Sequence, residues 1–203
     1  MSNYTYDAMG RPLTQTDAVG TTTTCTYSPN GYLTKITMPE GETLEYTYNA
    51  LGQVETVCDA LGSLTTYTHD ALGQVTGITD AMGNTTAFTY TADGRVATVT
   101  DALGNKTAYE YDGNGNLTSV TDALGNKTAF EYDALNNCIK EYRDAGEEKT
   151  CITLYHYDRR SCMIREISPL LEEKSYRYDG NGNITEIVDE EQNKTVVTYD
   201  LNL

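Results

Sequence analysis

The chain has no Trp, two Phe and four Pro in 203 residues, and only 14 Lys and Arg against 30 Asp and Glu. Each shortage removes a class of protein. A net charge of −16 leaves no basic patch to neutralise phosphates, which argues against a nucleic-acid partner and against an anionic membrane surface. No apolar run is long enough to insert into a bilayer. Met1-Ser2-Asn3-Tyr4 has no basic segment followed by an apolar one, so no targeting signal is read in this chain. Cys25, Cys58, Cys138, Cys151 and Cys162 contain no Cys-x-x-Cys pair, and their odd number argues for reduced, partly buried thiols over a closed disulfide framework. His69 and His156 are the only histidines. Neither has a context that suggests a nucleophile–base pair. No catalytic residue, metal site or cofactor is expected. Long apolar stretches of helical period are missing as well.

What the chain does have is 17 Tyr and 17 Gly, with many Thr and Val, the composition of strands joined by turns. An aromatic position recurs at Tyr6, Tyr27, Tyr48, His69, Tyr90, Tyr111 and Tyr132. After a longer step it resumes at Tyr157, Tyr178 and Tyr199. The regular step is 21 residues and the longer one 25, giving ten registers. Asp follows in most of them, as in Asp112, Asp133 and Asp179. Half a period away lies a second turn, Asp-Ala-Xaa-Gly, ending at Gly20, Gly62, Gly83, Gly104 and Gly125. Asp at the first turn position bonds backbone two residues on, and Gly at the fourth supplies the positive φ that closes a type I hairpin.

The segments between turns read as strands. Thr107-Ala-Tyr-Glu-Tyr111 puts Thr and both Tyr on one face. The return segments space their apolar residues by three, as in Val54/Val57, Val96/Val99 and Leu117/Val120. That spacing implies either a bulge or a first residue packed over the turn, and the second is the favoured expectation. Strands this short joined by such turns predict an all-β, coiled antiparallel meander, with the Tyr-Asp turns along one edge and the Asp-Ala-Xaa-Gly turns along the other. The Tyr row is expected to pack as core.

The array is read as one domain, residues 1–203. Pro12 stands at the position of Val54, as suits a terminal strand. One extra residue is expected in Leu135-Asn-Asn-Cys138, with a compensating loss in Asp144-Ala-Gly146. Residues 147–156 carry a four-residue insertion that lengthens a hairpin. Ser168-Pro-Leu-Leu171 replaces an Asp-Ala-Leu-Gly turn. No terminal cap is present, and the last repeat stops mid-unit, as in a section of a larger array. Asp179-Gly-Asn-Gly-Asn183 has oxygen ligands at the first, third and fifth positions of a calcium loop. Ile184, however, stands where such a loop needs Gly, so a hairpin turn is the better reading.

Gly104 with Tyr111-Asp-Gly-Asn-Gly-Asn-Leu117, Gly62 with His69-Asp-Ala-Leu-Gly-Gln-Val75, and Gly83 with Tyr90-Thr-Ala-Asp-Gly-Arg-Val96 resemble the RHS repeat, also called the YD repeat. The resemblance covers essentially the whole chain. It implies a section of a spiralling β-sheet shell of the kind that encloses a C-terminal toxin domain in bacterial polymorphic toxins and insecticidal toxin complexes. Related shells occur in cell-surface adhesion proteins. It therefore implies a bacterial parent that is secreted or at the cell surface, with an enclosed toxin domain as partner. Self-cleavage is not carried over, because none of Pro12, Pro29, Pro39 or Pro169 follows an Asp. The alternative is a glycan- or surface-binding module that exposes its Tyr rows. An isolated length of array would also associate with itself, through unpaired sheet edges or its apolar face.

Overall fold

The computed structural model describes residues 2–144 and 150–199. Every regular element in it is a β-strand, as composition and periodicity predict. Two compact units divide the chain, Met1–Asn105 and Lys106–Leu203. The first carries β1 (Asn3–Tyr6), β2 (Pro12–Thr16), β3 (Thr22–Tyr27), β4 (Leu33–Thr37), β5 (Thr43–Tyr48), β6 (Val54–Asp59), β7 (Leu64–His69), β8 (Val75–Thr79), β9 (Thr85–Tyr90) and β10 (Val96–Thr100). The second carries β11 (Lys106–Tyr111), β12 (Leu117–Thr121), β13 (Lys127–Tyr132), β14 (Cys138–Asp144), β15 (Thr150–Tyr157), β16 (Met163–Ile167), β17 (Glu173–Tyr178), β18 (Ile184–Val188) and β19 (Lys194–Val196). Within each unit every strand pairs antiparallel with its sequence neighbours. A connection of about five residues permits no other partner.

One turn geometry closes both kinds of hairpin. In Asp101–Asn105 the Asp101 N–H donates to the Asn105 carbonyl at 3.0 Å and the Gly104 N–H to the Asp101 carbonyl at 3.0 Å. The Asp101 carboxylate accepts from the Leu103 and Asn105 N–H groups at 2.9 and 2.8 Å, and from Asn105 Nδ2 at 2.7 Å. The fourth residue is left-handed, with Gly104 at φ +87°. Such a φ costs a residue with a Cβ about 1–2 kcal/mol, which is why Gly recurs at this position.

The two kinds of hairpin differ in register. Across the Asp-Ala-Xaa-Gly turns the pairing runs without a break, as from Ser119↔Ala129 to Thr121↔Lys127. Across the Tyr-Asp turns it jumps from Glu110↔Ser119 to Tyr111↔Leu117, leaving Thr118 as the extra residue. The same bulge recurs beside Tyr6, Tyr27, Tyr48, His69, Tyr90, Tyr132, Tyr157 and Tyr178. This overturns the expectation that the first apolar residue packs over the turn. The bulge adds one residue, so Leu117 and Val120 return to the face that carries Tyr109 and Tyr111.

A second expectation fails at Leu135–Cys138. Tyr132 pairs with Cys138 just as Tyr111 pairs with Leu117, so the turn holds no extra residue. Asn136 stands at the glycine position with φ +63°, a conformation Asn tolerates. β14 has 7 residues and β15 has 8. Residues 145–149, which include the predicted loss near Gly146 and part of the insertion, lie outside the described residues. So do Asp200–Leu203, where the sequence stops mid-unit.

The Tyr row is less a core than a half-covered face. Among the described residues no hydrophobic side chain is buried, and the only buried polar one is Ser119, 2% exposed. Within each unit the sheet holds its shape through ladder bonds, turns and lateral side-chain contacts, with partial apolar burial added.

Candidate functional site

The repeat markers converge on an inter-repeat clasp. The hydroxyl of each of five marker tyrosines donates to the main-chain carbonyl fifteen residues earlier, at the start of the previous repeat's return strand. The pairs are Tyr27 to Pro12 at 2.9 Å, Tyr48 to Leu33 at 2.7 Å, Tyr90 to Val75 at 2.6 Å, Tyr132 to Leu117 at 2.9 Å and Tyr178 to Met163 at 2.7 Å. The two residues lie on neighbouring strands, and in β12–β13 the pairing ends at Ser119↔Ala129, short of the Leu117 carbonyl that the Tyr132 ring reaches. Partial burial raises the pKa of Tyr27, Tyr48, Tyr132 and Tyr178 above the ordinary phenol value. His69 ends β7 opposite Val75 in the same register, with no phenol to offer. Tyr6 is exposed in the first repeat, and Tyr199 is exposed beyond β19.

The clasp had a readable signal in the sequence. Two residues before the marker stands Tyr or Phe in eight of ten registers, as in Tyr67, Phe88, Tyr109 and Phe130, and Cys25 or Val197 in the others, whereas the marker itself is Tyr in nine and never Phe. A position that admits Phe needs only the ring, and one that does not needs the hydroxyl.

The two turn rims differ in a way the sequence does not display. Along the Tyr-Asp rim of the first unit the fifth turn residue leans over the glycine of the next repeat. A Cβ on Gly52 would collide with the Tyr32 hydroxyl, one on Gly73 would lie 2.6 Å from Gln53 Nε2, and one on Gly94 3.3 Å from Gln74 Nε2. Gln74 Nε2 donates to the Gly94 carbonyl at 3.1 Å. The Arg11 guanidinium stacks 4.6 Å from the Tyr27 ring centre. Along the other rim a Cβ on Gly20, Gly62, Gly83, Gly104 or Gly125 would meet nothing within 4 Å. The third turn residue points outward on both rims, as at Leu61, 93% exposed, and Leu72, 82%.

The turn carboxylates, including Asp112, Asp133 and Asp179, are occupied by their own turns. Hydrogen bonds from the fifth-residue Asn side chain, then from backbone N–H groups, hold Asp80, Asp101, Asp112, Asp122, Asp133, Asp179 and Asp189 below the usual carboxylate range. In the loop considered for calcium, Asp179 Oδ1 accepts from Asn181 and Asn183 N–H and its Oδ2 from Asn183 Nδ2. Among the described residues no group of three or more His, Cys, Asp or Glu is placed to hold a metal ion. The five cysteines are free and half-buried.

One region departs from the repeat. Opposite the first aromatic of the hairpin the return strand presents Val57, Ile78, Val99, Val120 or Ile187 in five repeats and Gln15 in the first. In β14 and β16 that residue is Glu141, opposite Phe130, and Glu166, opposite Tyr155. The Tyr155 hydroxyl donates to Glu141 Oε2 at 3.1 Å. Burial first, then that bond and the two carboxylates, push the phenol up to about 12. A cavity of about 540 Å³ opens here between Glu141, Arg143, Tyr155 and Glu166. A second hollow, of about 350 Å³, lies beside Tyr32 and Tyr48, whose rings stack at 4.9 Å.

A half-covered antiparallel meander, clasped repeat to repeat and with its turn acids spent on geometry, defines the class: a structural β-repeat protein. The RHS Repeat family model matches residues 6–43, 48–85, 69–106, 90–127 and 111–150, and the chain belongs to that family. The chain is also similar to chains in three solved structures. One is the Photorhabdus luminescens Tc holotoxin pore carrying the mutation TccC3-D651A, at 14% identity over 98% of this chain and 14% of that one, with a TM-score of 0.67. The TcdB2-TccC3-Cdc42 structure gives 14% identity over 97% and 14%, with a TM-score of 0.67. The TcdB2-TccC3 structure gives 14% over 98% and 15%, also at 0.67. Identity this low speaks for the fold alone, and the chain spans about a seventh of the length of the chains it matches. No curated protein sequence matches it.

Proposed function

We propose that the chain is a length of wall in an RHS shell, a non-catalytic module whose parent encloses or displays an effector domain. The supporting observation is the clasp. A tyrosine hydroxyl that ties one repeat to the one before it, as five do, serves a continuous wall and does nothing for a ligand. In this reading the ten registers form one array over residues 1–203, in a bacterial toxin-associated protein that is secreted or at the cell surface. The likeness to the Tc toxin chains points the same way. The half-covered apolar face and the sheet edges let copies of the isolated array associate. The test is protease protection of the segment that follows residue 203 in the parent protein. Resistance that is lost when the clasp tyrosines are replaced by Phe supports enclosure, and equal cleavage with the wall intact or loosened argues against it.

One observation favours a second reading, a glycan-binding surface. Tyr32 is 39% exposed and stacks on Tyr48 beside Ser28, Asn30 and Asn49, an aromatic platform edged by polar groups. Dose-dependent glycan-array binding that Tyr32→Ala abolishes would establish it.

A further inference from the structure

Asn-Gly occurs three times, at Asn30-Gly31, Asn114-Gly115 and Asn181-Gly182. Each pair sits inside a Tyr-Asp-type turn. Two of them lie in the same pentapeptide, Asp-Gly-Asn-Gly-Asn, at 112–116 and 179–183. Asn-Gly is the dipeptide most prone to deamidation, because a following residue without a Cβ lets its nitrogen swing onto the Asn side-chain carbonyl carbon. That nitrogen must first leave its turn hydrogen bond, and the Asn side chain must be free to rotate.

The three sites differ in both requirements. Asn114 Nδ2 donates to Asn136 Oδ1 at 3.2 Å, and the same oxygen accepts from Asn116 Nδ2 at 2.8 Å. Gly115 is half-buried, and its N–H donates to the Asp112 carbonyl at 3.1 Å. Gly31 is also half-buried. Its N–H donates to the Ser28 carbonyl at 2.9 Å, and the Arg11 guanidinium lies over it, 3.3 Å from an added Cβ. The Asn181 side chain makes no hydrogen bond among the described residues, and Gly182 is exposed. The Gly182 N–H bond to the Asp179 carbonyl is the longest of the three at 3.2 Å, and that carbonyl also accepts from Arg160 Nη1 at 2.9 Å.

We propose that Asn181 is a deamidation site of the folded chain, selected over Asn114 by tertiary contacts alone. The Gly182 nitrogen forms a bond to Asn181 Cγ and gives up its proton. The Cγ–Nδ2 bond breaks, and the amide nitrogen leaves as ammonia. One water then opens the succinimide at either carbonyl, giving Asp or isoaspartate. Both products add a negative charge to a turn whose Asp179 carbonyl accepts from Arg160. Isoaspartate also adds a main-chain atom to a turn that closes only at five residues, so it breaks the Asp179 bonds to the backbone of residues 181 and 183 and loosens the β17–β18 hairpin. The reaction is irreversible and needs only water, which makes this turn a clock on one rim of the repeat.

The folded chain is incubated at mildly alkaline pH, and the three sites are followed by peptide mapping with mass spectrometry. The expected result is several-fold faster conversion at Asn181 than at Asn114. The same incubation in denaturant should bring the two identical pentapeptides to one rate. Asn136→Ala, which frees the Asn114 amide, should raise the Asn114 rate toward that of Asn181. Equal or faster reaction at Asn114 in the fold would overturn the proposal. So would a difference that persists in denaturant, and so would an Asn114 rate unmoved by Asn136→Ala in a folded variant. Should that variant not fold, the denaturant comparison on the native chain still decides.

Discussion

At the scale of single residues, Tyr and Gly each perform two tasks, and substitutions separate them. Removing a clasp hydroxyl leaves the ring in place but orphans a half-buried carbonyl. Tyr90→Phe and Tyr132→Phe should each lower stability by about 0.5–1.5 kcal/mol. Tyr67→Phe should leave it unchanged, because Phe88 and Phe130 already occupy equivalent positions. Denaturant unfolding of the three variants is the check. The glycines make a similar pair. Gly52 and Gly62 both have positive φ, +80° and +83°, so Ala strains both by about 1–2 kcal/mol. Only Gly52→Ala also collides with a neighbour, the Tyr32 hydroxyl, so it should lower the melting temperature more than Gly62→Ala. The turn carboxylates set the pH response. Their folded pKa values lie below the unfolded ones, because Asn side chains and backbone N–H groups favour the charged form. Their stabilisation is therefore complete above about pH 4 and is lost as pH falls further, through the folded values. A melting temperature that drops steeply below that pH, and less steeply in Asp101→Asn, is the expected profile.

At the scale of elements, one turn tolerates several sequences because its bonds are mostly main chain. Ser168 replaces Asp, and its Oγ accepts from the Leu170 and Glu172 N–H groups, both at 3.2 Å. Leu171 occupies the glycine position at φ +65°, where its Cβ is unfavourable. Leu171→Gly should therefore raise stability by about 1 kcal/mol, measurable as a shifted unfolding midpoint. This turn was legible as a break in the pattern, and its geometry survives the break. The bulge was half legible. The three-residue spacing of Leu117 and Val120 announced an irregularity. Which irregularity it was depended on where the partner strand set the register, and no single segment contains that information. Asn136 misled for a related reason, since counting residues cannot distinguish a longer turn from one whose fourth position is filled by Asn.

At the scale of the whole chain, the decisive quantity is the apolar surface left uncovered. Among the described residues no hydrophobic side chain is buried, although Tyr, Val and Ile share one face of each unit. Association between copies is the expected result at high concentration. Light scattering should show a mass that rises with concentration, and a monomer at every concentration would count against it. Glu141 and Glu166 interrupt that face in the second unit, whose other hairpins place Val120 and Ile187 there. They escaped the sequence reading because the insertion after β14 obscures the alignment of those two segments with their neighbours.

The sequence alone determined the strands, the alternation of two turns, the face that carries the aromatic row and the family to which the chain belongs. All of these follow from periods of 2 and 21 that any stretch of the chain displays. Only the tertiary structure decided what the aromatic row does. The clasp joins residues fifteen apart on neighbouring strands, and the two rims differ because, in the first unit, one repeat leans over the glycine of the next. Both effects depend on how repeats are stacked, a relation between segments that no one repeat encodes.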